Sequence, residues 1–370
     1  MFNRYTKYPF YPGQVSLPLC VSEVLGQDYG PPRFNPDFLN YMTTVAANIQ
    51  ILFGTANEVV FPTGEAMLGL WGALKCTLKP RDKVLTVGTG VYGDGFADMA
   101  EILNCRVEKL SLPYDMTIDA DFLQKIDEAI QRFQPALMTA VHCDTPSGTL
   151  NPLAELGRIK KDRRVPLFVV DAVSSLGGAP IEQDKWNVDI MLGGSQKCLG
   201  CPADTAIMSI SPAAWERIAD INYQGYEALL PFKDADQDAA RYPYTPNWMG
   251  IAALRASTQA IMAEGVENVF ARHDLVAQAC RKGILALNLS LWPRPEAINS
   301  PTVTAVRVPE GFSWPEWRNA LESKGLVVGG SLGSMNGKVF RLGHMGVQAD
   351  LENLNGALDV MAQILNSKRA

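Results

Sequence analysis

The sequence has no surplus of basic residues and no apolar run long enough to cross a membrane. Lys and Arg number 33 against 39 Asp and Glu, a formal net charge of −6, so it lacks the basic footprint of a nucleic-acid-binding protein. Apolar stretches such as residues 167–170 end within a few residues, so no transmembrane helix is expected. Residues 1–12 are aromatic and proline-rich without a signal-like apolar segment. We therefore expect a cytoplasmic protein.

Cysteine is present, but not in a pattern typical of disulfide frameworks or metal sites. The chain has seven scattered cysteines, an odd number. Cys198 and Cys201 form a C-x-x-C motif, and no second pair completes a zinc site. We therefore expect reduced, mostly buried thiols and no bound metal.

The apolar residues that are present predict a large α/β core. They make up 47% of the 370 residues, enough for two or three domains. From about residue 58 to 210, short runs that are apolar on both faces alternate with helical patterns, which is typical of a mainly parallel sheet covered by helices. The predicted strands are residues 59–61, 83–87, 107–112, 136–141, 167–170, 190–192 and 206–210.

The pattern of predicted strands and helices changes in the last third of the chain. Two long helical patterns, residues 248–264 and 266–287, are followed by shorter alternating strands and helices. We therefore predict an N-terminal arm over residues 1–15, a large domain over 16–260 and a smaller α+β domain over 261–370.

Glycines and polar residues follow the predicted strands, where ligands bind in open parallel sheets. Gly88, Gly90 and Gly93 form a G-x-G-x-x-G motif, with Glu108 twenty residues beyond Gly88. This motif favours a nicotinamide-dependent oxidoreductase as one alternative. The match is weak, because Glu108 falls inside its predicted strand rather than at the end. Glycines needed only for tight turns are the plainer interpretation.

Two charged residues at neighbouring strand ends point to different chemistry. Asp171 ends the run 167–170, where a carboxylate is costly to bury without a cationic partner. Lys197 follows a flexible Gly-Gly-Ser-Gln turn after the next strand. A lysine that forms a Schiff base beside an aspartate that holds a pyridinium nitrogen is the arrangement of a pyridoxal site.

The motifs around these two residues resemble the class V aminotransferases of the alanine–glyoxylate type. The segments 171–178 and 195–197 carry that likeness. A still closer likeness is to the pyridoxamine–pyruvate aminotransferases. It rests on residues 90–93, 144–149, 197–200, 300–302 and 341–346.

This resemblance implies a fold type I pyridoxal-dependent transferase that works as a homodimer or homotetramer with shared active sites. Lys197 would be the Schiff-base lysine and proton carrier, and Asp171 would pair with the ring nitrogen. Tyr92 would stack on the ring, Thr145 would hydrogen-bond its phenolic oxygen, and Arg341 would bind the substrate α-carboxylate. His142 and His344 are general bases by residue type alone, and the resemblance makes them structural.

The sequence supports two different predictions about whether the cofactor carries a phosphate. The family places it at the helix opening at Thr63 and Gly64, and the next residue here is Glu65. Pyridoxamine–pyruvate aminotransferases also carry a glutamate there and use free pyridoxal. A glutamate turned away from the site, at the start of the helix, is the alternative.

Three further residues match phosphate contacts of the alanine–glyoxylate enzymes. They are Gln196 and, reaching in from a partner subunit, Tyr242 and Thr245. Leu332 stands where the pyridoxamine–pyruvate enzymes have a second substrate-binding arginine. We therefore expect an aminotransferase that uses pyridoxal 5′-phosphate, a small L-amino acid such as alanine, and pyruvate or glyoxylate. The alternative is a pyridoxamine–pyruvate aminotransferase with free pyridoxal as substrate.

Overall fold

The computed structural model describes residues 6–35, 37–235, 237–238 and 241–369, so residues 1–5 of the predicted arm lie outside the described residues. The α-helices are α1 (Leu19–Leu25), α2 (Asp37–Phe53), α3 (Ala66–Thr77), α4 (Val91–Ile102), α5 (Ala120–Phe133), α6 (Leu153–Asp162), α7 (Pro212–Ile221), α8 (Trp248–Glu264), α9 (Val266–Ala286), α10 (Trp314–Glu322) and α11 (Leu351–Arg369). Within the described ranges, each helix is too short or too polar to span a bilayer.

The strands form a large sheet, a small sheet and a short hairpin. They are β1 (Tyr8–Phe10), β2 (Glu58–Val60), β3 (Lys83–Gly88), β4 (Arg106–Ser111), β5 (Leu137–Val141), β6 (Cys143–Asp144), β7 (Thr149–Leu150), β8 (Leu167–Asp171), β9 (Ile190–Gly194), β10 (Ala206–Ile210), β11 (Val303–Arg307), β12 (Leu326–Gly330) and β13 (Val339–Gly343).

The large sheet confirms the predicted, mainly parallel α/β architecture. Its order is β2-β10-β9-β8-β5-β3-β4, and β10 runs antiparallel to both of its neighbours. Strands β5 and β8 are buried along their whole length, as expected for strands covered by helices on both faces. Because β3, β5, β8 and β9 are parallel, their carboxyl ends meet at one edge of the sheet.

The helices cover the sheet through amphipathic faces with defined ends. In α5, the side chain of Asp119 accepts a hydrogen bond of 2.8 Å from Phe122 N and so caps the helix. Phe122, Ile126 and Ile130 follow at helical spacing, and all three are buried.

The small sheet joins the two ends of the chain. Its order is β1-β12-β13-β11, and β1 pairs in parallel with β12. Its core packs α10 and α11 against the strands around Trp317 and Phe340, whose ring centroids lie 5.9 Å apart. The N-terminal segment that follows β1 therefore starts from the small sheet. It reaches the large one through a hydrogen bond of 3.2 Å from Val15 N to Gln196 O.

Candidate active site

A cavity of about 280 Å³ lies at the carboxyl edge of the large sheet. We call it the central cavity. The structure brings six of the predicted site residues to its wall: Glu65, Tyr92, Thr145, Asp171, Gln196 and Lys197. They come from the ends of three strands and the starts of two helices. Gly13 and Gln14 of the N-terminal segment complete the wall on one side.

Asp171 is the last residue of β8 and is 5% exposed. Its Oδ1 accepts a hydrogen bond of 2.8 Å from Val173 N. Burial raises the pKa of this carboxyl to about 7, and the nearby Asp144 carboxylate raises it further, against the opposing effect of Lys197. Among the described residues no cation forms an ion pair with it, so the site offers a buried carboxylate that a cationic ligand would stabilise.

Lys197 lies three residues beyond β9, whose end neighbours that of β8. Its Nζ donates a hydrogen bond of 2.6 Å to the carbonyl oxygen of Pro12. Burial lowers the pKa of the amine to about 8, and the positive charge of Arg341 lowers it further. A substantial fraction of the amine is therefore neutral near pH 8, as a nucleophile or base requires.

Tyr92 and Thr145 come from two further segments, the start of α4 and the turn after β6. Tyr92 is half-buried in the first turn of α4, and burial raises the pKa of its hydroxyl. Thr145 Oγ1 shares a hydrogen bond with Ser174 Oγ. Both side chains line the central cavity, so it has an aromatic group and a buried hydroxyl next to the Asp171 and Lys197 charges.

Asp144 is a further residue of the site, and its sequence motif alone does not indicate its role. It is fully buried, and its carboxylate accepts hydrogen bonds of 3.3 Å from Tyr92 N and Ser147 N. Burial raises its pKa to about 6. A Cβ at residue 90 would lie 2.1–2.3 Å from this carboxylate, so Gly90 is required by the close approach. An aspartate three residues after a mainly apolar strand was the available signal.

Glu65 occupies the start of α3. Its Oε2 accepts a hydrogen bond of 2.8 Å from Met67 N, which caps the helix. Its Oε1 accepts a hydrogen bond from Gln196 Nε2. Because Glu65 also lines the central cavity, the alternative of a side chain turned away from the site is wrong, although the side chain does lie at the start of the helix. The amide at the helix start and the side chain of Gln196 were predicted to bind a phosphate. In the structure they bind the Glu65 carboxylate.

The backbone before Glu65 is also engaged. Thr63 N donates a hydrogen bond of 3.0 Å to Tyr244 Oη, and Gly64 N donates one of 2.8 Å to Asp204 O. Gly64 has a φ of 152°, which favours glycine at this turn. Sequence reasoning missed Tyr244, because its contact joins residues far apart in the chain.

Arg341 is in β13 of the small sheet and is 7% exposed. Its Nε donates a hydrogen bond of 2.8 Å to the carbonyl oxygen of Gly330, and Nη2 donates to the same oxygen. Burial lowers the pKa of the guanidinium. Among the described residues no carboxylate forms an ion pair with it, so the small sheet contributes a buried cation whose charge acts on Lys197.

Five predicted residues do not lie on the wall of the central cavity: Thr63, Gly64, Tyr242, Thr245 and Arg341. Tyr242 is 3% exposed, and its ring packs edge-on against Phe38 and Phe232 at centroid distances of 5.9 and 5.4 Å. Thr245 is exposed. Their predicted contact with the cofactor of a partner subunit stays a prediction. Leu332 is 42% exposed.

The two histidines considered as bases are buried away from the cavity wall. His142 Nδ1 shares a hydrogen bond of 2.9 Å with Ser175 Oγ, and its ring packs edge-on against Trp186. His344 Nε2 shares one of 2.9 Å with Thr304 Oγ1. Burial lowers both pKa values to about 3, so both rings are neutral.

The glycines of the G-x-G-x-x-G motif have structural roles in this fold. Gly88 ends β3, and Gly90 makes room for Asp144. Glu108, which a dinucleotide site would use to bind the ribose, lies in β4 and forms an ion pair with Arg132 of α5. These contacts leave the motif without its dinucleotide-binding acid.

Comparison with known proteins identifies the family. The profile of the family described as Aminotransferase class-V matches residues 32–344. The pyridoxamine–pyruvate transaminase of Mesorhizobium japonicum is 33% identical over 342 residues, which are 90% of this chain and 85% of that protein. The alanine–glyoxylate aminotransferase of Callithrix jacchus is 31% identical over 335 residues, 88% of this chain and 79% of that one.

A solved structure extends the likeness to the whole fold. The pyridoxamine–pyruvate aminotransferase of Mesorhizobium loti superposes with a TM-score of 0.88 at 28% identity, covering all of both chains. The chain has the fold type I architecture of pyridoxal-phosphate-dependent aminotransferases. It belongs to the class V aminotransferases, in the group of the alanine–glyoxylate and pyridoxamine–pyruvate enzymes.

Proposed function

We propose that this enzyme moves an amino group between a small L-amino acid, alanine foremost, and a small 2-oxo acid, pyruvate or glyoxylate. The cofactor would be a pyridoxal attached through its aldehyde to Lys197. One observation carries the proposal. The partly neutral amine of Lys197 and the buried carboxylate of Asp171 lie at the ends of two neighbouring strands. Both line the same small cavity.

The residues present fit the ring of a pyridoxal. Asp171 is a buried carboxylate without an ion pair among the described residues, and a protonated ring nitrogen would supply its missing cation. Tyr92 offers a flat face, and Thr145 offers a hydroxyl for the phenolic oxygen. When bound, the ring supplies an electron sink for the bond that breaks at the amino-acid α-carbon.

Lys197 would carry the proton. Its Nζ, with a pKa lowered to about 8, would take the proton from the α-carbon of the amino acid and return it to the former aldehyde carbon of the ring. The Pro12 carbonyl, 2.6 Å from Nζ, holds the amine at the cavity wall. Partial burial at the cavity wall holds the amine within reach of the reacting carbons.

Arg341 would bind the substrate carboxylate. Its two donors that contact Gly330 O fix the orientation of its planar guanidinium, and a carboxylate would give the buried cation its counter-charge. The cavity of about 280 Å³ must hold the ring as well, which favours a short side chain on the amino acid. Alanine and glyoxylate are among the smallest such substrates.

The second candidate is transfer between free pyridoxamine and pyruvate, with unphosphorylated pyridoxal as product. Glu65 favours it, because its carboxylate already takes the Met67 amide and the Gln196 side-chain amide. Two like charges about 4 Å apart repel by roughly 4 kcal/mol at an effective dielectric of about 20. That repulsion would weaken phosphate binding by about three orders of magnitude.

Three residues favour pyridoxal 5′-phosphate in return. Gln196 lies at the helix start, where its amide would have to exchange Glu65 for the phosphate, and Tyr242 and Thr245 would reach the phosphate of a partner's site in a homodimer or homotetramer. Leu332 offers no second cation for a substrate carboxylate.

The test is an amino-transfer assay on purified, cofactor-stripped enzyme. Alanine and glyoxylate are supplied with pyridoxal 5′-phosphate. In a second series, pyridoxamine and pyruvate are supplied alone. Pyruvate formed in the first series supports the first candidate, and pyridoxal formed in the second supports the second. Lys197→Ala is the control for both, and equal product from that variant would overturn the proposal.

A further inference from the structure

A second cavity, of about 820 Å³, lies at the opposite edge of the large sheet. We call it the amino-edge cavity. Its wall is made by the loops that lead into β3, β5 and β8, at residues 81–83, 134–136 and 163–166. The central cavity lies at the carboxyl ends of the same strands. The amino-edge cavity is therefore separate from the site of catalysis.

The amino-edge cavity is positively charged on a negatively charged protein. Its wall carries Arg81, Lys83, Arg163 and Arg164 but a single carboxylate, Asp82. Two of these five charges are already neutralised, because Arg163 forms an ion pair with Asp127 at 2.6 Å and Asp82 forms one with Arg217 at 2.6 Å.

Three cations remain: Arg81, Lys83 and Arg164. In the described part of the chain, none of them forms an ion pair. The Lys83 ammonium lies 5.5 Å from the centre of the Phe133 ring. A whole chain with a net charge of −6 thus gathers three unpaired positive charges around one concave surface.

The backbone conformation marks the same residues. Among the described non-glycine residues, those with a left-handed φ include five Asn or Asp residues, which tolerate it well. The other three are Arg81 (φ 74°), Gln134 (φ 50°) and Arg164 (φ 56°). All three line the amino-edge cavity. Glycine or asparagine would adopt these turns more readily, so this chain places long polar side chains there against the backbone preference.

A purely local role for these cations would be to complement helix dipoles. Gln134 and Arg164 follow the C-terminal ends of α5 and α6, where positive charge is favourable. That role explains the sign of the charge at Arg164. It does not require that left-handed arginines from two separate turns line one cavity.

We propose that the amino-edge cavity binds a small phosphorylated metabolite. Arginine presents a planar fork of donors that matches phosphate oxygens. Three unpaired cations match the charge of a di- or triphosphate. Buried Ile130 and Val165, with Pro135 and Pro166, give the wall an apolar part for the organic portion of the ligand. The cavity volume is in the range of small-molecule sites.

The test is isothermal titration calorimetry of the whole enzyme with adenosine triphosphate and, separately, inorganic phosphate, at 0.05 and 0.15 M salt. The variant is the double substitution Arg81→Asn and Arg164→Asn, because asparagine removes the charge and tolerates the left-handed backbone. Arg318→Gln, an exposed arginine on α10 outside the cavity, is the matched control.

Wild type and Arg318→Gln are expected to bind adenosine triphosphate at least tenfold more tightly than the double variant, and more weakly at the higher salt. The melting temperature of the double variant without ligand is expected to be equal or higher, since its turns are relieved. Equal affinity in wild type and the double variant would overturn the site. Inorganic phosphate that binds as tightly as adenosine triphosphate would overturn its assignment to a metabolite.

Discussion

The carboxylates at the two ends of the central cavity differ in their hydrogen-bond and charge partners. We call the end at Asp171 the ring end, and the end at Glu65, where α3 begins, the helix end. At the ring end, Asp171 is buried without an ion pair among the described residues, and burial raises its pKa to about 7. At the helix end, Glu65 has a hydrogen bond from Met67 N and another from Gln196. One carboxylate lacks a cationic partner and the other already has its donors.

This difference indicates how one cavity selects its ligand. The ring end gains stability when a cation such as a protonated ring nitrogen arrives, because a buried lone carboxylate is costly. The helix end would lose hydrogen bonds and gain repulsion if a phosphate arrived. Most of the binding energy for a pyridoxal would therefore come from the ring end, and the helix end would set which form is preferred.

The largest expected effect is at Lys197. Replacing Lys197 by alanine removes the amine that would attach the ring and carry the proton, and proton transfer by a positioned group alone contributes about 10²–10⁴-fold. We expect kcat for amino transfer to fall by at least that factor. Steady-state assays measure it, with circular dichroism to check folding. A variant with a wild-type kcat would exclude the amine from catalysis.

A smaller loss is expected at Asp171. Changing it to asparagine keeps the shape but removes the charge that would pair with the ring nitrogen. A hydrogen bond to a charged group contributes about 1.5–3 kcal/mol, so we expect pyridoxal to bind about 10–100-fold more weakly. Fluorescence titration measures the Kd. An unchanged Kd would remove Asp171 from the ring end.

The same substitution changes how stability depends on pH. Burial raises the folded-state pKa of Asp171 from the ordinary 3.8 to about 7, so its contribution to stability is present below about pH 4 and is lost as the pH rises towards 7. We expect the stability of cofactor-free wild type, relative to Asp171→Asn, to fall over that window. Urea unfolding at several pH values measures it. Parallel curves for the two proteins would contradict the shifted pKa.

A few-fold effect is expected from Arg341 on Lys197. The guanidinium charge helps to lower the pKa of the amine to about 8, so Arg341→Gln is expected to raise it. The rate of pyridoxal attachment as a function of pH would then have its midpoint at a higher pH than in wild type. Stopped-flow absorbance follows the attachment. A midpoint that does not move would place Arg341 out of electrostatic reach.

The smallest effect is on stability at the helix end. Glu65→Ala removes the cap on Met67 N, and loss of a cap costs about 1 kcal/mol. Glu65→Gln is the matched control, because its amide oxygen still accepts that hydrogen bond. Chemical unfolding is expected to separate the two variants, and equal losses of stability would mean that the cap contributes nothing.

The elements with local signals were predictable from sequence. Buried strands such as β5 and β8 are short apolar runs, and helix α8 has the bounds that its periodicity predicts. Strand β1 was missed, because its pairing with β12 joins residues more than 300 positions apart. The predicted boundary near residue 260 stays a prediction.

The site residues also divide into those with a local sequence signal and those that depend on long-range contacts. Lys197 and Asp171 could be predicted, because each follows a strand with an obvious apolar pattern. Asp144 was not assigned, since its importance comes from the closeness of Gly90 and the Tyr92 amide. The orientation of Glu65 depends on Gln196, 131 residues away, and no local pattern predicts such a contact.

The most direct test of this account compares cofactor preference in wild type and Glu65→Gln, which keeps the cap and removes the charge. Cofactor-stripped proteins are titrated with pyridoxal and with pyridoxal 5′-phosphate, and the ratio of the two Kd values is taken for each. The ratio is expected to shift towards the phosphate in the variant, by up to about 10³-fold. Equal ratios in the two proteins would contradict it.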